Sequence, residues 1–142
     1  MRAASQRVSK SASQPAAQDE WSAPRTRHFR DLVVWQKAMA LARSVYSATD
    51  AMPSKEQFGM TSQMRRSAVS VPSNIAEGHG RTTDRGFVVF LAQARGSLYE
   101  LQTQIHLAED LHFLHSGSAK PLLAQSEEVG RLINGLLKTV KG

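Results

Sequence analysis

Arg66, Ser70, Asn74 and Glu77 follow one another at steps of four, four and three, the spacing that sets side chains along one face of a helix. A guanidinium, a hydroxyl, an amide and a carboxylate in one row offer donors, acceptors and both charges. Glu100 and Gln104, with Ser97, make a similar row further along the chain. Two such rows on neighbouring helices can serve in two ways. They can converge on a ligand or a reacting group. They can also pair internally, Arg66 with Glu77 or with Glu100, and fix helix register or a subunit contact. The second is the expected use, because polar groups between helices commonly specify geometry.

Arginines form a second constellation. Arg65, Arg81, Arg85 and Arg95 are the candidates for nucleic-acid contact. Two of them lie in EGHGRTTDR, where backbone donors at a helix start would suit a phosphate. No aromatic side chains are interleaved to stack on bases. The histidines His106, His112 and His115 gather near one helix end, but their spacing is irregular and the chain has no cysteine. No metal and no cofactor is expected from that set. G-x-S-x-G, P-loop and H-E-x-x-H motifs are all absent, and no arginine precedes a histidine by four to six residues, a spacing many helical nucleases use. The expected protein is not an enzyme, and no catalytic residue is assigned.

The elements that must carry these rows read as helices. The first is predicted over about 32–49, with Asp31 as N-cap, Phe29 folding back as a hydrophobic staple, and Trp35, Ala38, Met39, Ala42, Val45 and Tyr46 along one face. The second is predicted over about 55–77, with a Ser54–Gln57 capping box and Phe58, Thr61, Met64, Ala68, Val71 and Ile75 inward. Pro72 falls inside it, where a proline removes a donor and crowds the carbonyl of Ala68. Gly78 and Gly80 mark a left-handed C-terminal turn. Thr82 or Thr83 caps a third helix of about 30 residues, roughly 45 Å long, with an apolar stripe from Phe87 to Leu111. Gly96 beside Ser97 predicts close approach to the serine flank (Ser67, Ser70, Ser73) of the second helix. Ser116–Ser118 makes a break, and a fourth helix is predicted over about 119–140 with Pro121 in its first turn. Its apolar face is broad enough for a core and a subunit contact. The fold class is therefore all-α, an antiparallel up-down-up-down four-helix bundle.

Composition bounds the rest. The chain has 142 residues and a formal net charge of +6. Residues 1–27, rich in Ser, Ala, Gln and Arg, carry five basic and two acidic side chains, so half the excess charge lies there. That segment predicts a disordered basic tail, with Trp21 as its one sizeable apolar group, and residues 28–142 predict the bundle domain. No run of 18 apolar residues suits a membrane span, no secretory leader is visible, and a cytoplasmic location is expected.

FRDLVVWQKAMALARSVY, QMRRSAVSVPSNIAEGHGR and FLAQARGSLYELQTQIHLAEDL, in that order, resemble the bacterial four-helix bundle family that includes proteins encoded within intervening sequences of 23S ribosomal RNA genes. The resemblance covers about residues 29–115 and is weaker in the fourth helix. It implies a short cytosolic bundle that assembles as a homopentamer. It also implies similarity to the accessory variability protein of diversity-generating retroelements, a basic pentameric bundle that binds a reverse transcriptase and nucleic acid. The expected function is a non-enzymatic oligomeric bundle protein, and the alternative is an accessory protein that binds RNA or DNA.

Overall fold

Apolar side chains at three- and four-residue spacing have one physical outcome, amphipathic helices that bury their stripes against each other. In a computed structural model, which describes residues 28–141, four helices do so: α1 (Val33–Thr49), α2 (Met60–His79), α3 (Asp84–Asp110) and α4 (Ser116–Lys141). The expectations for residues 1–27, tail and Trp21 alike, lie outside the described residues. No strand occurs among the described residues.

α2 packs on α1 and α3, and α4 packs on α3 and α1, a closed four-helix square. Neighbours run antiparallel. Ser70 meets Ser97 while Gly78 faces Phe87 and Phe90, so α2 and α3 run in opposite directions. Gln102 donates to Ser126 while Arg95 donates to Asn134, which gives α4 the same relation to α3. Leu41 and Val45, Met64 and Ile75, Phe87, Leu91, Leu98 and Ile105, and Val129 and Ile133 are all fully buried between the helices. Each side chain of this kind contributes about 1.5–3 kcal/mol on burial, so the stripes drive the helices together.

The boundaries differ from the sequence expectation in physically informative ways. Asp31 does not cap α1. It sits in a 3-10 turn, Phe29–Asp31, and Leu32 is the N-cap without a side-chain bond. Phe29 does fold back, edge-on to Trp35 at 5.2 Å. The second helix does not start at Lys55. A 3-10 turn, Ser54–Glu56, is followed by a break at Gly59, and Glu56, rather than a Ser54–Gln57 box, accepts the Met60 amide at 3.3 Å. Phe58 therefore lies off the helix and is 91% exposed.

Gly78 and Gly80 make no left-handed turn, for Gly80 has φ −76° and Gly78 is inside α2. A Cβ on Gly78 would lie 2.7 Å from Phe90 Cβ, so this glycine is the point of closest helix approach. Gly96 is not, since nothing lies within 4 Å of a Cβ placed there. Thr83, not Thr82, caps α3 by accepting the Gly86 amide at 3.0 Å.

The break after α3 falls at 111–115 instead of 116–118. His112 has φ 62°, Phe113 N–H donates to the Ala108 carbonyl at 2.8 Å, and His112 N–H donates to that of Glu109 at 3.0 Å. That pair of bonds is a Schellman ending built without glycine. Ser116–Ser118 becomes the first turn of α4, which puts Pro121 beyond it.

Candidate functional site

The polar row of α2 separates into three parts when its side chains are placed. Ser70 and Ser97 hydroxyls hydrogen-bond at 2.8 Å across the α2–α3 contact. Asn74 Nδ2 then donates to both the Ser70 carbonyl (2.9 Å) and the Ser70 hydroxyl (3.0 Å). Within this half-buried trio the Ser70–Ser97 bond crosses between the helices and ties their relative height, while Asn74 braces Ser70 from within α2. Glu77 turns instead to the surface, where Arg81 donates to it at 3.3 Å. Arg66 and Glu100 are both exposed, and the expected Arg66–Glu77 or Arg66–Glu100 ion pair is not made. Ion pairs among the described residues include Arg65–Asp50, Arg81–Glu77 and Lys37–Glu128.

The candidate arginines do not form one surface. Arg65 ties the end of α1 to α2: its Nε donates to Thr49 Oγ1 (2.8 Å), its Nη2 to the Tyr46 carbonyl (3.2 Å) and to Asp50 (2.9 Å), and its guanidinium lies 4.5 Å from the Tyr46 ring centroid. A planar fork meeting three acceptors at once is a use that lysine would not reproduce. Arg81 stacks over Phe90 at 4.5 Å while holding Glu77. Arg95 donates to Asn134 at 2.9 Å and joins α3 to α4. Arg85 is exposed in the first turn of α3. Arg65 and Arg81 are 16 positions apart along α2 and its exit, about 24 Å, too far to share one phosphate.

Arg66 and Glu100 point into solvent, and Asn74 is engaged with Ser70 within α2. His106, His112 and His115 are all exposed, and among the described residues no cluster of three His, Asp or Glu is placed to hold a metal. None of the described helices is long and apolar enough to cross a membrane.

Two features were not visible in the sequence pattern. One is an open apolar groove of about 550 Å³ between α1 and α2, formed by Trp35, Met39, Tyr46, Val69, Pro72 and Ala76 with Arg43 at its edge. It continues past Tyr46 and Val69 toward Phe58, Arg65 and Arg66. Trp35, Met39 and Tyr46 share the apolar face expected of the first helix, and they form its outer edge. The available signal was the width of the α1 stripe, too broad for a helix with two packed neighbours. The other is the outer face of α3, where Val89, Tyr99, Leu107 and Leu111 stand 45–49% exposed around the open Gly96.

Residues 30–135 match the family model described as 23S rRNA-intervening sequence protein. The fold is similar to the crystal structure of a protein of unknown function from the S23 ribosomal protein family of Bacteroides thetaiotaomicron. The two have a TM-score of 0.71 and 21% identity, over 75% of this chain and 96% of that one. No curated protein matches the chain.

Proposed function

Because the chain belongs to the 23S rRNA-intervening sequence protein family, and a crystal structure of similar fold is of a protein itself of unknown function, we propose that it acts as a non-enzymatic assembly module, a cytoplasmic bundle that associates with copies of itself into a ring such as a pentamer. The observation that carries this reading is the outer face of α3. Val89, Gly96 and Leu107 recur on its solvent side, with Tyr99 and Leu111 on the flanks, and the four large side chains are each about half exposed. An exposed helix-interior glycine costs about 1 kcal/mol against alanine, and nothing among the described residues uses the space at Gly96. A second helix laid over Gly96 would use it and cover the flanking apolar surface.

The test is light scattering or sedimentation at micromolar concentration. Wild type is expected as a defined oligomer, and Gly96→Glu and Leu107→Asp as folded monomers by circular dichroism. A monomeric wild type overturns the reading, and so does an oligomer that both variants leave intact.

A second reading is nucleic-acid binding at the turn between α2 and α3. Arg81 and exposed Arg85 flank the start of a 27-residue helix, and the overall charge of +6 has the right sign. Titration with structured RNA at low salt tests it, and absence of binding there removes it.

A further inference from the structure

We propose that the groove between α1 and α2 is the docking site for the Asp19–Glu20–Trp21 segment of the same chain, with the indole in the groove and the two carboxylates on Arg43 and Arg66. The groove is apolar where an indole would lie, between Met39, Tyr46, Val69 and Pro72. Its edges are basic. Arg43 borders the groove and Arg66 borders its extension, both are exposed, and neither meets a carboxylate among the described residues. Asp19 and Glu20 are the only acidic residues of positions 1–27 and immediately precede its only aromatic residue. An indole preceded by two carboxylates therefore matches an apolar slot edged by guanidiniums.

Connectivity fits the same occupant. The chain enters the described structure at the mouth of the groove, where Phe29 lies edge-on to Trp35 and Gln36 Nε2 donates to the Arg30 carbonyl at 2.8 Å. Trp21 precedes His28 by seven positions, which can span about 24 Å when extended. From Trp35 to Tyr46 the groove follows 11 positions of α1, about 16 Å. The segment therefore reaches the whole length without leaving its own subunit, and tethering raises its local concentration to about the millimolar range. A contact too weak to hold between separate molecules is thereby sufficient.

The lack of cysteine provides a clean probe. A nitroxide attached to Ser22→Cys in the full chain should broaden the amide NMR signals of Met39, Tyr46, Val69 and Ala76 beyond those of α3 and α4. Val69→Asp should abolish that selective broadening, and Arg43→Glu should weaken it about two- to fivefold, the range of an exposed ion pair. Asp19→Arg with Glu20→Arg should restore it in the Arg43→Glu, Arg66→Glu background. Uniform broadening, or none, overturns the proposal. Broadening seen only when labelled and unlabelled chains are mixed assigns the groove to a neighbouring copy's segment and also overturns it. So does a groove shielded in the oligomer with no effect of the label, which would mean that the body of a second copy covers it. Assembly through α3 is read by separate variants on the opposite side of the square, so either proposal can fail alone.

Discussion

His112 holds a left-handed backbone with a φ of 62°, and a side chain there costs about 1–2 kcal/mol that glycine does not incur. Its side chain is exposed, so removing it sacrifices little packing. His112→Gly is therefore expected to raise stability by about 1 kcal/mol in urea denaturation, the Schellman bonds remaining as they are. Gly78 is the reverse case. Its substitution by alanine drives a methyl group to 2.7 Å from Phe90 Cβ and 2.9 Å from the Phe87 ring, both on the facing helix. Overpacking of that kind costs about 1–3 kcal/mol, and Gly78→Ala should lose that amount in the same assay. These residues also show what a sequence conceals. A glycine near a predicted helix end reads as a turn, and a histidine does not, yet tertiary packing assigned the close approach to Gly78 and the left-handed turn to His112.

At the scale of elements, the stripes from Met64 to Ile75 and from Phe87 to Ala108 were legible because they are long and keep one period. The short pieces were not. Phe58 follows the period of α2 but stands beyond Gly59, where the backbone leaves the helix, and periodicity carries no information across such a break. Pro72 sits in α2 without ending it. Its ring is buried and also borders the groove, while packing on both sides compensates for the donor it lacks. The α2–α3 contact was correctly placed near Ser97, though its close point was not Gly96. The contribution of the serine lock can be isolated in a double-mutant cycle. Ser70→Ala and Ser97→Ala are each expected to cost about 1 kcal/mol and to couple by about 0.5–1.5 kcal/mol, because either one alone leaves the other hydroxyl half-buried without its cross-helix partner. Additive losses would mean that Asn74 alone satisfies Ser70 and that the register is set by packing.

Across the whole molecule, charge and assembly bear on each other. Of the four arginines read as nucleic-acid contacts, Arg65 and Arg95 join helices, while Arg81, paired with Glu77 at the surface, and Arg85 lie beside one turn. Two phosphate contacts per copy change the slope of log K against log salt by about 2. Such a subunit alone binds weakly, and only several copies on one RNA convert this charge into useful affinity. The double variant Arg81→Gln, Arg85→Gln should therefore flatten the salt slope by about 2 for every copy engaged, while Arg95→Gln, whose group already serves Asn134, should leave it unchanged. Measured on the intact assembly and again on the Gly96→Glu monomer, the first decrement divided by the second counts the copies that touch one RNA. A decrement above about 2 in the assembly, falling to about 2 in the monomer, makes the oligomer the binding unit. Equal decrements would make the oligomer irrelevant to nucleic acid, and none at all would remove the turn between α2 and α3 as a contact.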